Sequence, residues 1–364
     1  MRYNDIRRES REVRIGNRRI GAGNRLAIQS MTNTDTLDAA ATVAQIRAME
    51  KKGCDIVRIS VPTMAAAETI LQIKAAGIQI PIVADIHFDY KIALRCAELG
   101  FDKIRINPGN IGDDARVKAV CDACKSRSIP IRIGVNSGSL EKHILEKHGA
   151  PTPAALCESA LYHAALLEKF DFEDIVLSIK ASTVSDMIAA NRLLAESCRY
   201  PLHLGVTEAG GGERGMIKSA IGIGSLLCDG IGDTLRVSLT DDPVLEVDAA
   251  KKILRAVGME GQSGMDIVSC PTCARTKIDL ISLSKRFEAA VAAEGLEDVP
   301  VKVALMGCVV NGPGEAREAD VGIAGGIGEA VLFRHGKIVE KIEETAIIER
   351  LLQEIRLLKD GKRI

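Results

Sequence analysis

The chain has 364 residues, with 48 Lys and Arg against 49 Asp and Glu, a formal net charge of -1, 3% aromatic residues and no Trp. This balance argues against a general polyanion binder, and the lack of Trp argues against a base-stacking surface, so nucleic acid is not an expected partner. No run approaches the ~20 apolar residues that span a bilayer, and no apolar signal-peptide core opens the chain, so we expect a soluble, cytoplasmic protein without membrane contact. Ten cysteines scattered along so long a chain predict mostly reduced thiols.

The Arg-rich start of the chain predicts a solvated hairpin, because Asp5, Glu9 and Glu12 interrupt the arginines, unlike an organelle transit peptide. After it, short β-branched runs recur at a steady interval, and each is followed by a segment with helical periodicity. The predicted strands are residues 26–31, 55–60, 80–85, 103–107, 130–136, 174–180, 202–207 and 234–238.

Between these runs lie Ala/Leu-rich stretches that are long enough to cross back over a sheet: 39–52, 64–75, 115–127, 153–169, 184–195 and 214–227. Eight such units in about 250 residues are the usual size of a closed barrel. The alternative is an open doubly wound sheet, but no Gly-rich dinucleotide turn follows the first strand. The prediction for residues 1–257 is therefore an α/β fold, a (β/α)8 TIM-type barrel.

The pattern changes after Gly258, where residues 258–264 have the composition of a linker. Helices are predicted over 276–293 and 343–359. Strands are predicted at 265–269, 301–305, 320–324, 330–334 and 337–341. Residues 264–364 therefore predict a separate, smaller α+β domain of about 100 residues, a common domain size.

Nearly every predicted barrel strand ends in polar side chains, and the site of a (β/α)8 barrel is built where strands end and βα loops begin. Four arginines and a lysine meeting there would repel one another unless an anion compensates, and Arg forks suit phosphate oxygens. The alternative is pairing with acids inside the barrel, but burying the whole set that way would be costly. We therefore predict a small polyanionic ligand, a phosphate or diphosphate ester. The strand-end residues are Gln29, Ser30, Arg58, Ser60, Asp85, His87, Arg105, Asn107, Arg132, Asn136, Lys180, Ser182, Glu208, Arg236 and Ser238.

Four of these arginines each fall within a predicted strand, between apolar neighbours: Arg58, Arg105, Arg132 and Arg236. Because side chains alternate along a strand, the arginines lie on one face and their neighbours face the helices. The four guanidinium groups are therefore expected to share the barrel interior.

Three residues are candidate proton donors: Asp85 and His87 in ADIHFD, and Glu208 in GVTEAGGGERG. A carboxyl group near a desolvated, phosphate-rich pocket can have its pKa raised toward neutrality, where it works as an acid. The alternative for His87 is a hydrogen-bonded core histidine.

Three cysteines of the second domain have the spacing of a metal site. Cys270 and Cys273 form a CxxC turn between a predicted strand and helix, and Cys308 follows a second strand. Two thiols on one turn and a third from a neighbouring turn suit a [4Fe–4S] cluster with one unusual iron. Glu315, seven residues further on, could hold that iron until a substrate oxygen replaces it, because carboxylate is a harder, more exchangeable ligand than thiolate.

The alternatives for these thiols are a redox disulfide, plain packing or a zinc site. Zinc usually takes a fourth Cys or His with its own short spacing, and His335 is the only histidine of this domain. A second CxxC pair, Cys121 and Cys124, falls within a predicted helix without a third thiol nearby, which indicates a structural role.

The cysteine motifs SCPTCARTKIDL and MGCVVNGPGEA follow a barrel that carries VRISVP, ADIHFD, IRINPGN, IRIGVNSGSL, LSIKAS and GVTEAGGGERG. With these motifs, nearly the whole chain resembles the 4-hydroxy-3-methylbut-2-en-1-yl diphosphate synthase family of the methylerythritol phosphate route to isoprenoids, in its two-domain form. The resemblance implies an iron–sulfur oxidoreductase that opens and dehydrates 2-C-methyl-D-erythritol 2,4-cyclodiphosphate with two electrons, giving 4-hydroxy-3-methylbut-2-enyl diphosphate. It also implies flavodoxin or ferredoxin as the electron donor.

The resemblance assigns roles to residues of this chain. It implies a [4Fe–4S] cluster held by Cys270, Cys273, Cys308 and Glu315, and it makes Glu208 the acid beside the reacting carbon. Asp85, His87 and Ser182 join the expected substrate contacts from the strand-end set. The diphosphate contacts that the resemblance implies are Arg58, Arg105, Asn107, Arg132, Asn136, Lys180, Arg236 and Ser238.

The last predicted barrel helix, residues 242–257, begins at the active-site face and runs roughly 20 Å toward the opposite face. The cluster domain is then expected to start at the end of its own barrel that is opposite the active site. A head-to-tail homodimer, in which the cluster serves the barrel of the other subunit, solves this problem, and the resemblance implies the same.

Two rival functions remain from the residues alone. The first is a redox-silent phosphosubstrate lyase barrel with a zinc-stapled appendage, which metal colour and content would distinguish. The second is an electron carrier or cluster scaffold with a vestigial barrel. The many polar and charged side chains at the barrel mouth argue against it.

Overall fold

The computed structural model describes residues 3–181, 183–259, 264–309 and 317–359. The chain divides into two units, Met1–Val257 and Gly258–Ile364. The first unit opens with a short helix, α1 (Tyr3–Ile6), and an antiparallel hairpin of β1 (Val13–Ile15) and β2 (Arg18–Ile20).

Short, largely buried runs separated by helical segments form the parallel sheet of the first unit: β3 (Ala27–Met31), β4 (Ile56–Ser60), β5 (Ile82–Asp85), β6 (Lys103–Ile106), β7 (Ile131–Asn136), β8 (Ile175–Lys180), β9 (His203–Leu204) and β10 (Thr234–Leu235). Neighbours pair in chain order from β3 to β8, and β10 pairs with both β3 and β9. A parallel bridge between Leu177 and Leu202 joins β8 to the residue before β9 and closes the ring. The predicted (β/α)8 barrel is confirmed.

The connecting segments form α2 (Ala39–Lys51), α3 (Met64–Ala75), α4 (Tyr90–Leu99), α5 (Pro108–Ile111), α6 (Asp114–Lys125), α7 (Lys142–His148), α8 (Pro153–Glu168), α9 (Val184–Ser197), α10 (Gly212–Cys228) and α11 (Pro243–Ala256). Several begin with an Asp or Thr whose side chain accepts a backbone N–H of the first turn, as Asp38 does for α2 and Thr63 for α3. Such caps satisfy N–H groups that have no partner within the helix. They fix each helix start just beyond the barrel mouth.

The hairpin is only partly solvated, which corrects the sequence-based expectation. Its outward arginines are exposed, but Val13, Ile15 and Ile20 are buried. These three side chains share one apolar cluster with the lower barrel residues Ala27, Ile56, Val83 and Val176. The hairpin therefore closes the barrel at the end opposite the mouth.

Two predicted strands are much shorter than expected. β9 and β10 have two residues each, whereas the sequence predicted 202–207 and 234–238. At Gly205 an added Cβ would lie 2.9 Å from the carbonyl oxygen of Arg236. The backbone segments that follow β9 and β10 therefore approach each other too closely for a side chain at position 205. Arg236 therefore follows its strand, and the prediction that it lies within one is wrong.

The second unit contains one mixed sheet in the order β11 (Asp266–Ser269), β12 (Lys302–Met306), β13 (Val321–Gly325), β14 (Glu329–Arg334) and β15 (Lys337–Glu343). The first three strands run parallel, and the last two form antiparallel pairs. Helices α12 (Leu280–Ala293) and α13 (Ile347–Lys359) pack against it through an apolar core that includes Phe287, Leu305 and Leu351. The predicted smaller domain with mixed structure is confirmed.

Two boundaries in this unit differ from the prediction. Helix α12 begins at Leu280 rather than at 276, because Asp279 caps it by accepting the N–H of Ser282. The segment predicted as a helix from 343 finishes a strand first and turns through Glu344–Ala346. Within the described residues, no helix is long and apolar enough to cross a membrane.

Candidate active site

The carboxyl ends of the barrel strands surround a cavity of about 450 Å³. This volume is within the ordinary range for small-ligand sites. The lining residues come from the ends of five strands, β4 and β6 to β9: Arg58, Arg105, Arg132, Gly134, Asn136, Ser137, Gly138, Ser178, Lys180, Thr207 and Glu208. The structure thus brings together much of the strand-end set that the sequence singles out.

Asp85 is the counter-charge of two of the arginines. Its carboxylate lies 3.1 Å from Nη1 of Arg105 and 3.7 Å from Nε of Arg58. Burial alone would raise the pKa of Asp85, but Arg58, Arg105 and Arg132 outweigh it and hold that pKa below the ordinary value. An ionised Asp85 suits the orientation of cations better than proton donation, so of the three predicted acids it has the least favourable surroundings for that role.

Arg105 also depends on a glycine of the neighbouring strand. An added Cβ at Gly134 would lie 2.8 Å from both Nε and Nη2 of Arg105. The Nε and Nη2 edge of the guanidinium group therefore approaches the β7 backbone closely, in space that any larger residue would take from it.

Arg132 is the most deeply buried cation of the mouth, with 1% of its surface exposed. Its Nε and Nη1 atoms have no hydrogen-bond partner among the described residues. Burial, and then the neighbouring Arg58 and Arg105, lower the pKa of Arg132 well below the ordinary value. Buried donors without acceptors are costly in a folded protein, so this side chain is arranged for an acceptor that the barrel itself does not supply.

Arg236 is held by an acid that the sequence analysis did not single out. Its Nε and Nη2 atoms each lie 3.0 Å from an oxygen of Glu246, in the first turn of α11. Glu246 is buried and also accepts hydrogen bonds from Ser30 Oγ at 2.8 Å and Leu239 N at 3.2 Å. The alternative of pairing inside the barrel thus holds for Arg236, as it does for Arg58 and Arg105.

Lys180, at the end of β8, lines the same cavity. Burial, and then Arg58 and Arg132, lower the pKa of Lys180 well below the ordinary value. Among the described residues, two buried carboxylates, Asp85 and Glu246, thus pair with the mouth arginines, whereas the set has five basic side chains.

Glu208 is an exposed cavity residue with a backbone φ of 54°. A non-glycine residue in the left-handed region costs of order 1 kcal/mol or more and recurs at functional sites. His87 is also exposed, with Nε2 3.9 Å from Oδ2 of Asp85, so the core-histidine alternative is wrong for it.

The smaller polar residues are placed less uniformly. Asn107 is buried, and its Oδ1 accepts the N–H of Gly109 at 3.1 Å, so its side chain caps α5. Asn136 lines the cavity, and Ser238 is partly buried beyond the end of β10. Ser182 lies outside the described residues.

A polar layer beneath the mouth was missed by sequence reasoning. Lys103 is fully buried on β6, with Nζ 3.4 Å from Oε1 of Gln29. His203 is buried and contacts Thr234 Oγ1 at 2.7 Å. Lys103 stands two residues before Arg105, so strand alternation could have placed both on the inner face.

In the second unit, two of the three predicted cluster thiols follow paired strands. Ser269 lies opposite Leu305 in the parallel pair of β11 and β12, so Cys270 and Cys308 leave the same edge of the sheet. The N–H of Gly307 donates to Sγ of Cys270 at 3.2 Å. This hydrogen bond fixes the position of the Cys270 side chain relative to the turn after β12.

The turns that carry the thiols are joined closely. Lys277 N donates to Gly307 O at 2.9 Å, and Cys273 N donates to Thr276 Oγ1 at 3.0 Å. An added Cβ at Gly307 would meet Cγ2 of Thr276 at 2.7 Å, so only glycine permits this approach.

The three thiols differ in solvent exposure. Cys270 and Cys308 are partly buried, whereas Cys273 is exposed. The backbone N–H of Arg275, and then its guanidinium group, lower the pKa of Cys273 below the ordinary value. Over the described ranges, no three His, Cys, Asp or Glu side chains are gathered closely enough to hold a metal ion. Glu315 lies outside those ranges.

The other cysteines largely behave as predicted. Cys121 and Cys124 are buried in α6, where burial raises the pKa of Cys121 to about 12. Cys228, at the end of α10, is exposed.

Comparisons with known proteins match both units of the chain to the same family. The family model described as the GcpE TIM-barrel domain matches residues 10–251, and that of the GcpE protein C-terminal domain matches residues 266–357. A relative from Clostridium perfringens is 55% identical over 97% of this chain and 99% of its own length. Another, from Caldanaerobacter subterraneus, is 56% identical over 96% of this chain and 97% of its own length.

One solved structure is similar in fold alone. The spore coat polysaccharide biosynthesis protein spsE from Bacillus subtilis aligns over 70% of this chain and 74% of its own, with a TM-score of 0.50 and 12% identity. Both of the bacterial relatives above are named 4-hydroxy-3-methylbut-2-en-1-yl diphosphate synthase (flavodoxin). With both family models matched in order over nearly its whole length, the chain belongs to the GcpE family.

Proposed function

We propose that this protein reduces 2-C-methyl-D-erythritol 2,4-cyclodiphosphate to 4-hydroxy-3-methylbut-2-enyl diphosphate, the product that the names of its relatives specify. The observation that carries the proposal is the barrel mouth, where Arg132 has buried donors without acceptors beside four further basic side chains. A diphosphate supplies the missing acceptors and the missing negative charge.

The cations divide into two kinds under this proposal. Arg58 and Arg105, oriented by Asp85, and Arg236, oriented by Glu246, are held in place before a ligand arrives. Arg132 and Lys180 then gain most of their compensation from the diphosphate itself. Prearranged donors lower the cost of ordering on binding.

We propose that Cys270, Cys273, Cys308 and Glu315 hold a [4Fe–4S] cluster. The donor chemistry fits: an amide N–H fixes the position of the Cys270 thiol, and the pKa of Cys273 is lowered, which favours the thiolate that a metal binds. When bound, such a cluster would relay the two electrons of the reduction from the donor one at a time and would supply a Lewis-acidic iron. Its thiols stay reduced in the cytoplasm, the compartment we propose for the protein.

Ring opening breaks the bond between the tertiary carbon and a phosphate oxygen, and a hydroxyl group then leaves as water after it takes up a proton. We assign that proton to a carboxyl oxygen of Glu208, because Glu208 lines the cavity and is held in a strained backbone conformation. The arginines of the mouth neutralise the diphosphate throughout.

Replacing Glu208 by Gln is expected to retain cluster and substrate binding while turnover falls about 100-fold or more, because the amide cannot transfer the proton. Steady-state turnover, with substrate affinity measured separately, tests this. Turnover at the wild-type rate would remove Glu208 from the mechanism.

Diphosphate binding is expected to take up a proton at Lys180. In the free protein the lowered pKa lets Lys180 lose its proton at a lower pH than an ordinary lysine, and a bound anion favours the charged form. Affinity should therefore fall, by up to about tenfold per pH unit, as pH rises through the pKa of the free protein.

Calorimetry in two buffers of different ionisation enthalpy measures this uptake. Because Lys103 and His203 are also buried and have lowered pKa values, the difference between wild type and Lys180→Gln isolates the share of Lys180. Equal uptake by the two proteins, or release of protons, would contradict the prediction.

We propose flavodoxin as the electron donor, as the names of the relatives specify, with ferredoxin as the alternative. Reduced flavodoxin and reduced ferredoxin, each supplied alone to the purified holoenzyme, would distinguish them by the rate of product formation.

We also propose a head-to-tail homodimer in which each cluster serves the barrel of the other subunit. Support comes from α11, which starts beyond the mouth at Pro243 and is 14 residues long, so that it carries the chain roughly 20 Å away.

Mixing a Cys270→Ala chain with a Glu208→Gln chain tests the shared site. Each heterodimer would keep one site with an intact barrel and an intact cluster, so we expect about half of the wild-type activity per heterodimer. No activity in verified heterodimers would place each site within one chain.

The reaction itself is tested with anaerobically purified protein, reduced donor and the cyclodiphosphate, with the product identified by mass. A colourless protein that holds one zinc and does not consume the substrate would favour the rival, a redox-silent phosphosubstrate lyase.

A further inference from the structure

A buried hydrogen-bonded cluster lies beside the mouth and has no part in the function proposed above. Oε1 of Glu141 lies 2.5 Å from Nε2 of His163, and Ser159 Oγ donates to Oε2 of Glu141 at 2.6 Å. Ser159 and His163 both belong to α8 and are buried to 1% and 0% exposure. One carboxylate thus ties the loop after β7 to helix α8 through two hydrogen bonds.

The Glu141 carboxylate stays ionised over the working range of pH. Burial alone would raise the pKa of Glu141, but the hydrogen bonds from His163 and Ser159 lower it to about 2. The carboxylate is therefore ionised whenever the protein is folded and active. Losing either donor would leave a partly buried negative charge less well compensated.

The arrangement does not suit hydrolytic catalysis. In a nucleophilic triad the serine donates to the histidine, and the acid holds the far side of the ring. Here Ser159 and His163 both contact the acid, and both are buried. Ser159 is thus neither activated by a base nor open to a substrate.

The position of Glu141 explains what the cluster can do. Glu141 follows the turn Ser137–Ser139 by two residues, and Asn136, Ser137 and Gly138 line the mouth cavity. The same carboxylate also reaches the neighbouring turn after β6. An added Cβ at Gly109 would lie 3.2 Å from Cε1 of His163 and 3.4 Å from Oε1 of Glu141, so the cluster lies directly behind that turn.

We propose that Glu141 is a positioning residue for diphosphate binding, which holds the turns that carry Asn107 and Asn136 at the spacing that the anion requires. The inference rests on the proposed function, since it assumes that these turns contact the diphosphate. Glu141 lies behind both turns and acts through them, with His163 and Ser159 fixing its carboxylate.

Glu158 offers a matched control on the same pair of helices. It lies on α8 and pairs with Lys147 at 2.8 Å and His148 at 2.8 Å, at the C-terminal end of α7. Glu141 occupies the N-cap position at the other end of α7, although its side chain makes no capping hydrogen bond there. Both acids therefore connect α7 to α8, but only Glu141 lies behind the turns of the mouth.

The test compares Glu141→Gln and Glu158→Gln in the holoenzyme, using inorganic diphosphate as the binding probe and the cyclodiphosphate for kinetics. For Glu141→Gln we expect Kd and KM to rise about tenfold or more, with kcat within about twofold of wild type, because the loss lies in anion placement. For Glu158→Gln, whose pairs are more exposed, both constants should stay within about twofold.

Equal changes in the two variants would mean general loosening of α7, and unchanged Kd in Glu141→Gln would mean no positioning role; either result overturns the inference. If Glu141→Gln does not fold, Ser159→Ala removes one of the two hydrogen bonds and should raise Kd about threefold to tenfold. Unchanged affinity in folded Ser159→Ala would then overturn it. Failure of wild type to bind either diphosphate would instead overturn the proposed function itself, and this inference with it.

Discussion

Replacing Cys308 by Ala is expected to destroy the iron–sulfur cluster and abolish turnover. In the proposed site three thiolates attach the cluster at three points, and removal of one would leave too few ligands for a stable [4Fe–4S] centre. Iron and acid-labile sulfide, measured on anaerobically purified protein, should fall from about four each per chain in wild type to below about one. The brown absorbance that dithionite bleaches should disappear with them.

Cys228 provides the control for this change. It is an exposed thiol at the end of α10, in the first unit, so Cys228→Ala should keep its full iron content and activity. A Cys308→Ala protein that retains four iron atoms and normal turnover would contradict the assignment of the ligands. A colourless wild-type protein with one zinc would contradict the cluster itself.

The barrel could be predicted from the sequence because its strands carry a strong local signal. Ile56–Ser60 and Ile131–Asn136 are buried runs bounded by turns, and a parallel sheet covered on both faces needs such runs. The two-residue strands β9 and β10 could not be predicted in the same way. Their length depends on the close approach of Gly205 to the carbonyl of Arg236, a contact between segments about 30 residues apart.

The arginines of the mouth could likewise be predicted, but their partners could not. Alternation along β4, β6 and β7 places Arg58, Arg105 and Arg132 on the inner face. Glu246 gives no such signal, because it lies in the first turn of a helix, where acids are common for their favourable interaction with the helix dipole. The turn between β10 and α11 brings Glu246 back to Arg236, and the local pattern does not specify the path of that turn.

The same limit applies to the cluster of Glu141. The sequence around it, GSLEKH, reads as a turn before a short helix, and Ser159 and His163 look like ordinary positions of an Ala/Leu-rich helix. Their separation of 18 and 22 residues from Glu141 is bridged only when α8 packs against β7. Local patterns predict elements, whereas buried polar contacts arise from the tertiary fold.

Replacing Arg132 by Met is expected to abolish diphosphate binding and, at the same time, to raise the stability of the protein without ligand. The side chain is 1% exposed and has two nitrogens without a partner among the described residues, so the fold bears the cost of a buried, poorly compensated charge. Methionine keeps most of the apolar stem and removes that cost. We expect a stability gain of about 1–4 kcal/mol, by analogy with other buried charges.

Urea unfolding of the apoprotein and calorimetry with inorganic diphosphate measure the two effects on one variant. Arg127→Met is the matched control, because Arg127 is exposed shortly before the start of the same strand and should change neither quantity. A less stable Arg132→Met protein would mean that the fold already compensates the charge, and unchanged affinity would mean that the diphosphate binds elsewhere. We therefore expect the variant to be more stable without ligand but unable to bind the anion. Burial of the guanidinium group destabilises the empty barrel, and its interaction with the anion offsets that cost when the ligand binds.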